Sequence, residues 1–201
     1  MNKTNEYILK KFNIDPNKKS PTDISMKRRE GLIELFKELD FKVGAEIGVL
    51  KGRYTKYLCE AGFKMYGIDP WKYYKTYNDY RSQWKLDVYE QEARERLKDF
   101  DCTLIKKWSI DAVKDFEDES LDFVYIDGNH ALEYVIEDIS IWLKKVKKGG
   151  IISGHDFFRA KHSNNLMHVK DAVGTWAYCY KIKYWFALRG DKCSSWMFVK
   201  E

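Results

Sequence analysis

Phe123-Val-Tyr-Ile-Asp-Gly-Asn-His130, followed some twenty residues later by Gly149-Gly-Ile-Ile-Ser-Gly-His-Asp156, decides the fold. Each half reads as a buried strand running into acids and histidines, with a segment of helical length between them. Val135, Ile139, Trp142 and Val146 recur there as an apolar stripe, and Gly149-Gly150 is placed to end that helix as a glycine cap. A strand–helix–strand unit brings the carboxyl ends of both strands to one edge of a parallel sheet, where open α/β folds bind ligands. Asp127, His130, His155 and Asp156 are therefore expected in one cleft.

The same alternation extends outward from this unit. Leu32, Leu35, Phe36 and Leu39 recur at helical spacing, Val43–Ile47 enters a glycine turn, and Tyr54–Glu60 reads as the next helix. Phe63–Ile68, Thr103–Ile105 and Ile151–Ser153 read as further strands. Ile182–Leu188 and Ser195–Val199 close the chain as a hairpin about the turn Arg189-Gly190-Asp191. The expectation is an α/β fold, a doubly wound, mostly parallel seven-stranded sheet with a C-terminal antiparallel hairpin. Residues 1–24, polar and punctuated by Pro16 and Pro21, read as an N-terminal arm, and residues 25–201 as one domain.

Composition bounds the classes available. At 201 residues with 44% hydrophobic content the chain can bury one sizeable core, which excludes general disorder. No apolar run is long enough to span a bilayer, and the N-terminus lacks a signal-type apolar segment. Cys59, Cys102, Cys179 and Cys193 form no CxxC pair and read as reduced thiols, which points to the cytoplasm. The net charge of +5 is spread along the length, so it reads as solvated surface rather than a nucleic-acid patch.

Gly44-Ala-Glu-Ile-Gly-Val-Leu-Lys-Gly52 occupies the first strand-to-helix turn. A dinucleotide site would want G-x-G-x-x-G, whose backbone N–H groups reach a pyrophosphate. Here Val49, Leu50 and Lys51 fill the middle, and Glu46 sits where a diphosphate would be repelled. Asp69 ends the second strand about twenty residues on, the usual place for an acid that holds ribose hydroxyls. Two acids flanking one glycine turn fit a nucleoside that carries positive charge and no phosphate, such as S-adenosylmethionine.

GAEIGVLKG, YGIDPW, FVYIDGNH and KGGIISGHDF, in this order and spacing, resemble the class I S-adenosylmethionine-dependent methyltransferases, in particular the small bacterial kind with E-I-G-x-x-x-G and Y-I-D-G-x-H. The resemblance covers roughly residues 28–200, and DKCSSWMFVK is similar to that group's last strand. It implies a Rossmann-like methyltransferase fold with Glu46 and Gly48 at the methionine end of the cofactor, Asp69 on the ribose and Ser109 near the adenine. Glu46 as an acid that only braces its turn, and Ser109 as a helix N-cap, stand beside those roles.

Methyl transfer to oxygen needs the acceptor proton removed or its pKa lowered, by a general base or by a divalent cation. Asp127 and Asp156 offer hard oxygen ligands from adjacent strand ends, suited to Mg²⁺ or another divalent cation. His130 is the base candidate, since an imidazole titrates near neutral pH. The D-x-x-H spacing is similar to that of metal-dependent O-methyltransferases acting on macrolide sugars, which implies metal at Asp127 and the base at His130. His155 is either a softer third ligand or an orienting partner. Without metal, Asp127 lines the cofactor and methyl channel, and His130 or His155 acts unaided.

Trp71, Tyr73, Tyr74, Tyr77, Tyr80 and Trp84 follow the cofactor acid, either as a lid that stacks on a ring or as packing onto the sheet. Phe157, Phe158, Arg159 and His162 are placed to rim the cleft. Asp127-Gly-Asn-His130 stands where amino-methylating relatives carry an N/D-P-P-Y/F tetrapeptide, which disfavours base N-methylation. The expected partner is a small hydroxylated metabolite or sugar, with no membrane, and self-association is open. The competing class is a catalytically silent module of the same fold that binds RNA or protein.

Overall fold

The computed structural model describes residues 1–27, 29–74, 82–158, 167–190 and 193–201. Its centre is one eight-stranded sheet. The strands in chain order are β1 (Thr22–Ser25), β2 (Val43–Ile47), β3 (Lys64–Ile68), β4 (Cys102–Ile105), β5 (Leu121–Ile126), β6 (Val146–Gly154), β7 (Trp185–Arg189) and β8 (Ser195–Val199). Across the sheet they lie in the order β1-β7-β8-β6-β5-β2-β3-β4. β8 runs antiparallel to both its neighbours, and the other pairs are parallel. The order reverses where β2 meets β5, and β2 and β5 exchange their ladder from Gly44↔Phe123 to Ile47↔Ile126.

The two faces are sorted by the period-2 alternation of the central strands. On β5, Val124 and Ile126 face a core that also holds Val135, Ile139 and Trp142 of α6 (Leu132–Trp142) and Val173 of α7 (Val169–Cys179). Phe123 and Tyr125 face the opposite core, with Ile8 of α1 (Lys3–Lys11), Phe36 of α2 (Glu30–Glu38) and Leu58 of α3 (Arg53–Glu60). Phe36 and Phe123 stack with ring centroids 4.2 Å apart. Both faces being covered is what makes the fold doubly wound and lets Phe123 to Ile126 of β5 be buried on either side. Helix α4 (Gln83–Leu97) and the short α5 (Ser109–Ala112), continued as a 3₁₀ turn, complete the crossovers.

The sheet departs from the expected seven strands by β1. Thr22 and Ile24 point inward while Asp23 and Ser25 face solvent, and the strand pairs in parallel with β7 at Thr22↔Phe186. An arm ending at residue 24 would cut through this strand. Helix α1 is equally built in: the Thr4 hydroxyl donates to the Gly149 carbonyl (2.7 Å), and the Asn2 amide donates to the Lys200 carbonyl (3.3 Å). Gly149-Gly150 does not cap α6, which ends at Trp142; it lies inside β6. There the register with β5 shifts between Leu121 and Phe123, and Gly149 takes a φ of 80°, the mark of a bulge rather than a cap.

Candidate active site

At the carboxyl edge of the sheet two clefts meet. One, of about 400 Å³, runs past Ile68, Asp69, Trp108, Ser109, Asn129 and Asp138. The other, of about 550 Å³, is lined by Arg29, Glu46, Asp127, His130, His155 and Asp156. Gly48, Leu50 and Asp69 line both, so the two spaces share a wall at the β2 turn.

That turn depends on Gly48, whose φ is 92°. A Cβ there would lie 2.2 Å from the Asp127 carbonyl, so any side chain would push the β2 and β5 ends apart. Glu46, just before it, is 2% exposed and accepts a hydrogen bond from the Thr55 hydroxyl. Burial pushes its carboxyl up to about 8 against the opposing pull of Thr55 and Arg29. Burial thus favours the neutral form of Glu46.

Asp69 spends both carboxylate oxygens on the backbone. Its Oδ2 accepts from the Leu50 N–H (2.8 Å) and its Oδ1 from the Trp71 N–H (2.7 Å), which pins the two loops that follow β2 and β3. Burial still pushes its carboxyl up to about 6, those backbone bonds notwithstanding. Ser109 is the first residue of α5 and makes no capping bond; Trp108 occupies the cap position. Its hydroxyl instead donates to Oδ1 of Asp138 and accepts from the Trp142 indole N–H (2.7 Å).

The aromatic cluster divides. Trp71 is buried in the core beside Val49, Leu86 and Ala93, whereas Trp84 is 65% exposed. Tyr74 lines the first cleft, its hydroxyl accepting from the Asn129 amide (2.7 Å) and its ring edge-on to Trp108. Tyr77, Tyr80, Arg159 and His162 lie outside the described residues. Phe157 is core, packed edge-on to Trp185.

In the second cleft the structure brings Asp127, His130, His155 and Asp156 together. His130 Nε2 lies 3.1 Å from Oδ2 of Asp156 and 3.8 Å from Oδ1 of Asp127. His155 Nδ1 lies 3.1 Å from Oδ1 of Asp156 and 3.9 Å from Oδ1 of Asp127. Asp156 reaches this position with a φ of 53°, a left-handed conformation that costs a non-glycine residue on the order of 1–3 kcal/mol. Burial works to raise its carboxyl, but the imidazoles of His130 and His155 outweigh burial and hold it well below the usual carboxylate range. Oxygens of Asp127 and Asp156 and a nitrogen of His130 all lie within 4.8 Å of one another, a donor set that fits a divalent cation.

Two residues of these clefts escaped the sequence reading. Arg29, just ahead of α2, places Nη1 3.2 Å from Oδ2 of Asp127, with its guanidinium 5.5 Å from the Tyr54 ring centre. Burial opposes its charge, yet Tyr125, Asp127 and Tyr54 around it keep the guanidinium protonated. It sits in the basic run Lys27-Arg28-Arg29, where nothing marks one cation from its neighbours. Asp138 is the other, 5% exposed on the inner face of α6. An acid interrupting the apolar stripe of Val135, Ile139 and Trp142 was a usable signal.

Residues 45–157, more than half of the chain, match the family described as a methyltransferase domain. The chain belongs to the class I S-adenosylmethionine-dependent methyltransferases. No curated protein sequence matches it. Among solved structures it is similar to the O-methyltransferase from Bacillus cereus in complex with S-adenosylhomocysteine. That alignment has 16% identity over 100% of this chain and 92% of the other, with a TM-score of 0.62. It is also similar to the O-methyltransferase TomG from Streptomyces achromogenes, involved in tomaymycin synthesis and solved with S-adenosylmethionine. There the identity is 13% over 100% and 91% of the two chains, with a TM-score of 0.63. A methyltransferase from Podospora anserina bound to S-adenosylhomocysteine aligns at 15% identity over 85% and 76%, with a TM-score of 0.60. At these identities the likeness is one of fold. Among the described residues of the methyltransferase, no helix is long and apolar enough to cross a membrane.

Proposed function

We propose that this methyltransferase moves the methyl group of S-adenosylmethionine to an oxygen of a small hydroxylated metabolite or sugar, in the cytoplasm. The observation that carries this reading is the shared wall at Gly48, Leu50 and Asp69, which joins a largely apolar cleft to a cluster of acids and imidazoles. When bound, the cofactor supplies an electrophilic methyl group on a sulfonium. Asp69 takes the ribose hydroxyls, Glu46 and Gly48 shape the methionine end, Ser109 forms the wall at the base, and Asp127 lies at the junction. His130 takes the acceptor proton on its imidazole, and the Asp156 carboxylate beside it stabilises the charge that forms. His155, in contact with the other oxygen of Asp156, keeps that carboxylate oriented. A hydroxyl acceptor has a proton of high pKa to give up in the transfer, and this pairing of imidazole and carboxylate is suited to taking it. The O-methyltransferase neighbours from Bacillus cereus and Streptomyces achromogenes support the same preference.

Titration calorimetry with S-adenosylmethionine and S-adenosylhomocysteine is the first test, and micromolar binding is expected. No heat at high micromolar ligand would favour a silent module of this fold. A hydroxylated-metabolite screen read by S-adenosylhomocysteine release then identifies the acceptor.

The donor set of Asp127, His130 and Asp156 favours a second reading, in which these three side chains hold Mg²⁺ or another divalent cation. The cation would lower the acceptor's pKa, and His130 would then be a ligand rather than the base. An imidazole among the donors suits Mn²⁺ better than Mg²⁺. Turnover of a chelated enzyme that does not rise on adding either ion would remove this reading.

A further inference from the structure

Asp138 has no place in methyl transfer as described, yet its position is costly. It faces the first cleft from an otherwise apolar stripe on α6, among Ile47, Ile68, Trp108 and Ile110. A buried acid in such a wall needs hydrogen-bond partners. One is present, and with the carboxyl ionised its direction is fixed. The Trp142 indole can only donate, so it donates to Ser109, and the single proton of Ser109 goes to Oδ1 of Asp138. Ser109 therefore has no proton left for a ligand, although its place in the sequence suggested that it would meet one.

The other oxygen is the informative one. Among the described residues no group donates to Oδ2 of Asp138. It lies 3.8 Å from where a Cβ on Gly128 would stand, and Gly128 lines the same cleft. An acceptor oxygen is thus turned toward the space from which Ser109 has been withdrawn. Asp69 lies in that cleft too, with Lys72, Asn129 and Glu137 also along its wall.

We infer that Asp138 selects the base of the bound nucleoside, its Oδ2 accepting an N–H from the exocyclic amine of a 6-aminopurine and rejecting a 6-oxopurine. This rests on the S-adenosylmethionine reading and adds a specificity residue to it. A 6-oxo group presents a second acceptor to the carboxylate, and two acceptors facing each other in an apolar wall leave both unsatisfied. A hydrogen bond to a charged group corresponds to about a ten- to hundredfold difference in affinity.

The experiment is calorimetry at pH 8, above the value of about 7 to which burial pushes the Asp138 carboxyl. S-adenosylhomocysteine and S-inosylhomocysteine are titrated into the wild-type chain and into Asp138→Asn. The wild type should bind the adenosyl compound at least tenfold more tightly, and Asp138→Asn should bring the two affinities within about threefold of each other. Equal wild-type affinities, or an unchanged ratio in a folded Asp138→Asn, overturn the inference while leaving the cofactor reading intact. Binding of neither compound to the wild type removes both. If Asp138→Asn does not fold, the wild-type ratio decides together with Ser109→Ala, which keeps the carboxylate and should keep the preference for the adenosyl compound. Loss of that preference in Ser109→Ala would count against Asp138.

Discussion

The two clefts at the sheet edge satisfy their polar groups in opposite ways. In the first, Asp69 and Ser109 are tied to the protein's own backbone and indole, so the wall is set before any ligand arrives. In the second, charges are balanced against other side chains, Arg29 against Asp127 and two imidazoles against Asp156. A wall of the first kind binds by shape and a few hydrogen bonds. A cluster of the second kind must exchange partners when a ligand enters, which is where proton movement or a cation can be accommodated. On the proposed function, recognition falls to one side and chemistry to the other.

The sharpest way to break this division is His130→Ala. It should lower turnover by at least about a hundredfold, in line with the loss of a general base. S-adenosylhomocysteine affinity by calorimetry should stay within about threefold, and a large loss of affinity would erase the distinction between the clefts. Asp69→Ala should do the reverse. It strands the N–H groups of Leu50 and Trp71 and removes the proposed ribose contact, so the cofactor dissociation constant should rise about ten- to a hundredfold. Measured at saturating cofactor, its kcat should change much less.

Arg29→Met should have a smaller effect, confined to the second cleft. The pair with Asp127 is partly exposed, at 30% and 19% for the two side chains, so its worth is discounted for solvent screening. About a tenfold loss in kcat/KM for the acceptor is expected, with cofactor affinity unchanged.

The smallest effect is on stability against pH. The folded Glu46 carboxyl, near 8, lies above its ordinary value of 4.5, so the unfolded chain releases that proton first. Glu46's contribution is fully present below pH 4.5 and is lost as pH rises toward 8. Asp138 adds a similar loss toward pH 7, and Asp69 toward pH 6. Thermal unfolding followed between pH 5 and 8 should show a falling Tm, with a shallower slope in Glu46→Gln. A flat profile in the wild-type protein would mean that Glu46 in the second cleft and Asp69 and Asp138 in the first are ionised.

Where the sequence was legible, the signal was periodic and local. The alternation on either side of Asp127 and Asp156 was enough to order the central strands and bring four ionisable groups to one edge. β1 was not legible, because Thr22-Asp-Ile-Ser25 is too short for alternation to stand out behind two prolines, and its partner lies over 160 residues away. The bulge at Gly149 looks in sequence like a helix cap, since both use glycine at positive φ; only the pairing with β5 separates them. Arg29 meets Asp127 across 98 positions, a contact made by packing and carried by no motif. Ser109 lines the first cleft, but its hydroxyl is engaged by Trp142 and Asp138, residues of a different helix.

The strand order also governs when the sheet can be finished during synthesis. β8 leaves the ribosome after β7 yet inserts between β7 and β6, and among the described residues β1 pairs with β7 alone. The five parallel strands from β4 to β6 can assemble from the growing chain, but β6 keeps an open edge until residues 195–199 emerge. β1, the earliest strand made, must wait unpaired until residues 185–189 arrive, a delay of most of the chain. Pairings of such long sequence separation are slow to form, and an uncovered β6 edge is an invitation to other chains meanwhile.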